Sequence, residues 1–416
     1  MERKDFFVQK NYKMENFVGG EGYVHSHQLI DLIKNEEVKD LIVAKYELED
    51  DTRIEFDKID LLVPLVKKYT SRFEQIRLMA TNDNVITSFD VDNDVIFTIK
   101  NAEIEGAVVD ELIATGLYNS VNMFYEGRKL SQYINFLKKN VRDQHLLNAV
   151  NTSWQDHYLE KGSKLSPRLY RLLYDSVDGG YFLKSINSDK YREYGVAETF
   201  VLTILELHRI STVEGRSFNI SSIALSESKI EIILPSSHQT YLKELGYIHP
   251  SIAIRNEDQG NTSIGFYSSL EFKLAHEDEN GKLYFFPNKR VKDIKLDKTI
   301  NHTVVPKTFV ESYGSISEFF HDIDFFKEEF YFLKEATSPD SLRAKIEEKI
   351  ISPRSPFRGI KELKDLFTRD KVGHLDNLST LLKLCGKAEM IDMNYDLKFE
   401  LRYIISNVLL YGKHKE

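Results

Sequence analysis

Cysteine is almost absent: Cys385 is the only one in 416 residues. That excludes an internal disulfide and a thiolate-rich metal site. Its setting, Leu381-Leu382-Lys383-Leu384-Cys385, is an apolar helical run, which predicts a packed core thiol. No apolar stretch approaches the roughly 18 residues that a spanning helix needs. The start, Met1-Glu2-Arg3-Lys4-Asp5, is charged and has no apolar segment behind it, so no secretory signal is read there. The expected compartment is the cytoplasm, with no membrane partner. Cations are not in excess: 56 Lys and Arg stand against 65 Asp and Glu, a formal net charge of -9. Such a chain is not suited to wholesale wrapping by nucleic acid, although a local basic groove stays open. The common catalytic motifs are also missing. There is no nucleophile elbow, no His-Glu-x-x-His and no kinase signature. Gly19-Gly20-Glu21-Gly22 lacks the Lys-Ser/Thr that a phosphate cradle needs, and reads as a turn. No cofactor is expected.

What is present is a well-mixed globular composition, 42% hydrophobic and 29% charged, with 26 Phe and 22 Tyr. It can fill more than one core. The pattern predicts an α+β protein in three parts: a β-rich region over residues 1–102, a central α+β domain over 103–350 with a mostly antiparallel sheet, and a small helical unit over 351–416. Val85–Phe89 and Val95–Ile99 are rich in β-branched and aromatic residues, and the polar Asp90-Val91-Asp92-Asn93-Asp94 between them predicts a hairpin. From Glu103 to Tyr174 the pattern is helical; Leu130, Tyr133, Ile134, Leu137 and Val141 share one face. Ser166-Pro167 reads as a helix start, with Ser166 as N-cap. Tyr181–Ile186 reads as a strand and Ala197–His208 as a helix. Strands return over 216–290, where Asn280-Gly281 is a hairpin signal. Residues 350–359, with Pro353, Pro356, Arg354 and Arg358, read as a linker. Helices are expected at Glu362–Thr368, Asn377–Leu384 and Asp396–Leu410.

Three metal-like patterns weaken on inspection. His25-Ser26-His27 has no third ligand at a suitable spacing and reads as a capping turn before the helix that follows. Asp90, Asp92 and Asp94 open like a calcium loop, but Val95 stands where Gly is required and Asn101 where Glu is required. Glu257 and Asp258 could serve a metal-dependent nuclease, yet adjacent residues of a strand point to opposite faces.

The strongest polar signals are three. Residues 121–174 carry nine cations against four carboxylates, interleaved with Tyr133, Trp154, Tyr158, Tyr170 and Tyr174. Aromatics that stack on bases beside cations that track phosphates are the ingredients of a single-strand surface. Asn187-Ser188-Asp189-Lys190-Tyr191-Arg192 follows a strand as turn chemistry that leaves Lys190 and Arg192 for an anion. The run Arg255-Asn256-Glu257-Asp258-Gln259 interrupts strand-like sequence with five charged or amide residues.

The last two segments, with Asn280-Gly281, resemble a large family of phage- and plasmid-encoded proteins that carries a domain-of-unknown-function label. The matching stretch runs from about Leu165 to Ile350. This chain has Asn256-Glu257-Asp258 where the family has Asn-Ser-Glu, and Asp278-Glu279-Asn280-Gly281 where it has Cys-x-Asn-Gly. The resemblance implies a mobile-element context and no catalytic residue. The resulting expectation is a phage-type cytoplasmic protein that binds single-stranded nucleic acid through Lys138, Lys139, Arg142, Lys164, Arg168, Arg171, Lys190, Arg192 and Arg255. The alternatives are a non-enzymatic factor acting on a host or phage protein, and the metal-dependent nuclease. Self-association is compatible with all three.

Overall fold

The computed structural model describes residues 2–104, 107–141, 143–161, 165–242, 246–260, 262–274, 282–286, 297–320 and 338–411. The protein is α+β, and its contacts divide it into two compact units. One comprises Met1–Val66, Gly195–Asn256 and Ser263–Glu416; the other comprises Lys67–Tyr194 and Glu257–Thr262. The expected boundaries at 102 and 350 are therefore replaced. Both units are assembled from separated segments, and composition along the chain carries no mark of such a division.

In chain order, the first unit opens with β1 (Lys10–Lys13), β2 (Tyr23–His25) and β3 (Arg53–Glu55). The second unit holds β4 (Phe73–Ala80), β5 (Val85–Phe89), β6 (Val95–Ile104), β7 (Ala107–Gly116), β8 (Arg168–Asp175) and β9 (Tyr181–Asn187). The chain then supplies β10 (Ser222–Leu225), β11 (Lys229–Pro235), β12 (Thr240–Leu242), β13 (Gly246–Glu257), β14 (Ile264–Leu274), β15 (Lys282–Phe285) and β16 (Asp297–Ile300).

The second unit is a closed barrel. Its strands run β4-β8-β9-β7-β6, and β4 pairs β6 in turn through Leu78↔Ile104 and Met79↔Glu103. β5 continues β4 after a single 3-10 turn, Asn82–Asn84, and adds to β6. The β7–β9 pairing is parallel; the remaining pairings in this barrel are antiparallel. Alternation places Val95, Phe97 and Ile99 of β6, Leu112 and Ala114 of β7, and Tyr170 and Leu172 of β8 in one core. Helices Ser120–Glu126, Ser131–Phe136 and Gln144–Lys161 lie between β7 and β8 in sequence, and Met123, Phe124, Tyr125, Ile134 and Leu147 add to that core. The expected hairpin is present, with Phe89 opposite Val95. Its turn is an Asx arrangement: the Asp90 carboxylate accepts from the N–H groups of Asp92 and Asp94.

The expected helix after Ser166-Pro167 is instead β8. Both faces of this strand are buried, so Arg168-Leu169-Tyr170-Arg171-Leu172-Leu173-Tyr174-Asp175 shows no two-residue period that would distinguish it from a helix. Proline just before the first strand residue leaves no ladder hydrogen bond unmade.

The sheet of the first unit runs β1-β10-β11-β13-β14-β15, with β12 on β13 and β16 on β14. Strand β15 pairs β14 as expected, while Asn280-Gly281 lies outside the described residues. The helix Val196–Glu214 packs on β11 and is buried over most of its circumference, so its sequence is apolar well beyond one stripe. Glu198 accepts from the Gly195 N–H at its start, and Gly215 ends it in the left-handed region, φ 68°. Ile248, Leu270, Phe272, Leu283 and Phe285 form one apolar sheet face. Helices Pro339–Ile351, Lys361–Phe367, Leu378–Ala388 and Tyr395–Tyr411 cover it. Phe357 is buried in this cluster, so the largely exposed segment 351–359 is pinned to the core through that side chain and is not a free linker. Cys385 is buried there too, and burial pushes its thiol well above the usual range. No helix among the described residues is long and apolar enough to cross a membrane.

Candidate functional site

The second and third polar segments of the sequence meet. Residues 257–262 cluster with the barrel unit, and there Asp258 accepts four close contacts. The Arg171 guanidinium reaches both of its oxygens through Nη2, at 2.7 and 2.6 Å. Lys184 Nζ donates at 3.0 Å and the Tyr191 hydroxyl at 2.8 Å. Nε of Arg171 donates to Glu193 at 2.8 Å, and Nη1 to Ser185 Oγ at 3.1 Å. The Tyr191 ring stacks on the guanidinium, 4.4 Å from its carbon to the centroid. Arg171 and Lys184 are each 1% exposed, and Asp258 is fully buried.

Local structure explains the convergence. Arg171 lies on the face of β8 opposite to the core residues Tyr170 and Leu172. On β9 the register shifts, with Arg171 opposite Ser185 but Leu172 opposite Leu183. Lys184 is thus the extra residue of a bulge, which turns its side chain out of the barrel core toward Asp258. Asn187 Nδ2 donates to the Gly260 carbonyl at 2.9 Å. Gly260 has φ +99°, and a Cβ there would lie 2.8 Å from Ser185 Cβ. Both conformation and space require glycine at this position.

The electrostatics are closed. Two buried cations face two carboxylates. Burial disfavours the Arg171 charge, but Asp258 and Glu193 outweigh it and hold the guanidinium firmly protonated. Burial and the Asp258 charge push the Tyr191 phenol far up, so it stays neutral and donates. The lone pairs of Asp258 are spent on its donors. The cluster is a buried clamp, and it leaves the nuclease reading without its carboxylate. Among the described residues, no group of three His, Cys, Asp or Glu could hold a metal ion. His25 and His27 both turn to Asp51, at 2.8 and 2.9 Å.

The expected nucleic-acid residues separate. Arg171 is internal, because β8 is a buried strand and not a solvated helix. Arg168 donates to the carbonyls of Met123 and Ile186. Lys138, on a π-helical turn Leu137–Val141, pairs with Asp94 at 2.9 Å. Arg255 belongs to the other unit, where it pairs with Asp396 and stacks on Phe399. Lys139, Lys190 and Arg192 are exposed. Arg142 and Lys164 lie outside the described residues. The interleaved aromatics are mostly used internally: Trp154, Tyr158 and Phe124 surround the Arg128 guanidinium, and Tyr170 is core.

The barrel presents another face, which the sequence reading missed. Outside the core on β6 and β7, three cross-strand pairs line up: Ile96 with Thr115, Thr98 with Ile113, and Lys100 with Glu111. The loop Asp90–Asp94 joins β5 to β6, and residues 176–180 join β8 to β9. The only local signal was Thr98 between Phe97 and Ile99; the apolar Ile96 beside it hides the alternation that the burial pattern shows. Compared with protein-family models, curated proteins and solved structures, the chain matches none.

Proposed function

We propose that the protein is a non-catalytic binder of single-stranded nucleic acid and that the barrel unit is its binding module. The strand order carries this reading. With β4 and β5 counted as one interrupted strand, the ring runs first-second-third-fifth-fourth-first, and a helical segment lies between the third and fourth strands. That is the connectivity of the small Greek-key barrels that bind oligonucleotides and oligosaccharides. They do so on the outer face of strands two and three and on the adjoining loops. Here that face is the Ile96, Thr98, Ile113 and Thr115 surface. The exposed cations Lys139 and Lys190 are candidates to meet phosphates. Asp90, Asp92 and Asp94 in one loop and Asp178 in the other repel them. Few phosphates are then neutralised, so binding is weak and its salt dependence is shallow. The resemblance to phage and plasmid proteins supplies a mobile-element setting for such an activity.

A salt-titrated gel shift with single- and double-stranded oligonucleotides tests this. Single strands are expected to shift at about 50 mM salt, and their affinity to fall about tenfold by about 200 mM. Ile113→Asp should abolish the shift, and Lys190→Ala should flatten the salt slope by about one. Absence of any single-strand shift at low salt ends the reading.

One observation favours a second reading, a factor that docks on a host or phage protein. Val91, Val108, Ile113 and Val177 of the barrel unit are all more than half exposed. Together with the loop carboxylates they suit a basic, partly apolar protein surface. Under that reading Ile113→Asp abolishes co-purification of a protein partner and oligonucleotides never bind.

A further inference from the structure

A pocket in the first unit holds polar donors that its own side chains satisfy poorly. Asn11 and Lys13 of β1 and Ser222 of β10 line one side of it. Lys13 and Ser222 are direct cross-strand partners, so the ammonium stem and the hydroxyl lie side by side. Lys282 and Tyr284 of β15 line it as well. The two groups of strands lie at opposite ends of the sheet order, yet side chains join them. Glu15 pairs with Lys282 at 3.2 Å, and Ser221 Oγ lies 2.6 Å from the Tyr284 hydroxyl. Arg402 and Glu389 complete the lining.

The polar groups of this pocket are unevenly satisfied. Arg402 is held by Glu389 in two-pronged fashion, at 2.9 to 3.1 Å, and by Glu231 at 3.0 Å. Lys282 has Glu15. Lys13 is 4.0 Å from that same carboxylate, and its closest acceptor is the Met390 thioether sulfur at 2.9 Å, a weak partner for an ammonium. The Ser222 hydroxyl is buried at 3% exposure and, among the described residues, has no hydrogen-bond partner. Arg402 thus has two carboxylates of its own, while Lys13 and Lys282 share Glu15, which lies closer to Lys282. A buried hydroxyl without a partner costs stability unless something supplies it. An ammonium beside it selects an acceptor that carries negative charge.

We propose that this pocket is a binding site for a small organic anion, whose carboxylate or phosphate oxygens accept from Lys13 Nζ and Ser222 Oγ. Lys282, across the pocket, adds a third donor. The site lies wholly in the first unit and is independent of the nucleic-acid reading.

Equilibrium dialysis of the full chain tests it with two probes, radiolabelled inorganic phosphate and radiolabelled acetate, at ionic strength held constant with chloride. One saturable site is expected for at least one probe, and the stronger of the two distinguishes a phosphate ligand from a carboxylate. Ser222→Ala and Lys13→Met should each weaken binding by about tenfold, and Lys67→Met, an exposed control, should leave it unchanged. Far-UV circular dichroism verifies that each variant is folded, and if Lys13→Met is not, Ser222→Ala decides. Failure of both probes to saturate, or unchanged affinity in Ser222→Ala, overturns the proposal.

Discussion

Arg171 shows how one residue type supports opposite readings. In sequence it is a cation among aromatics. In the structure its hydrogen bonds go to Asp258, Glu193 and Ser185. Nothing near it in sequence names Asp258, which is 87 positions away. Lys184 was the better local clue, a lysine in the middle of Tyr181–Ile186, where a strand buried on both faces tolerates charge only when it is paired. Removing one member of such a cluster strands the others in a low-dielectric interior. Arg171→Met is therefore expected to lower unfolding free energy by about 3–5 kcal/mol, measured by urea denaturation. A loss below about 1 kcal/mol, the range of exposed ion pairs, would mean that the cluster is solvated and not buried.

Among elements, periodicity succeeded where one face is wet and failed where neither is. The β5–β6 hairpin was legible from β-branched and aromatic runs around a polar turn, and the helix over Ala197–His208 from the spacing of its apolar residues. The helices near 361–367, 378–388 and 395–411 were legible from their amphipathic spacing. Strand β8 was not, because Leu169, Tyr170, Arg171, Leu172 and Leu173 are all buried. Residues 350–359 misled for a different reason. Pro353, Pro356 and Gly359 do break the helix at Ile351, but Phe357 between them is 0% exposed and packs with Ile350 and Leu363. A linker would tolerate its loss. Phe357→Ala is instead expected to cost about 3–5 kcal/mol, as truncation of a buried aromatic does, and a thermal melt of the variant checks this. An unchanged midpoint would restore the linker reading.

At the scale of the whole molecule, the barrel unit borrows six residues from a later part of the chain, Glu257–Thr262. A fragment of residues 67–194 contains every barrel strand but lacks Asp258. It removes the carboxylate that Lys184 and Arg171 share. Such a fragment should fail to melt cooperatively, while the same fragment with Lys184→Met and Arg171→Leu should recover a transition. A cooperative melt of the unaltered fragment would show that the clamp is dispensable. By itself the sequence determined the α+β class, the hairpin, the helix over 197–208, the last three helices and the core thiol, because each follows from spacing within a few residues. Tertiary structure alone decided the closure of β4 on β6, the bulge that aims Lys184, and the meeting of residues 187–191 with 258–260. These depend on pairings between distant segments, which local periodicity cannot specify. The polar run at 255–259 was conspicuous in sequence, but its members part company: Asp258 meets Arg171 and Lys184, while Arg255 meets Asp396, and only the fold supplied those partners.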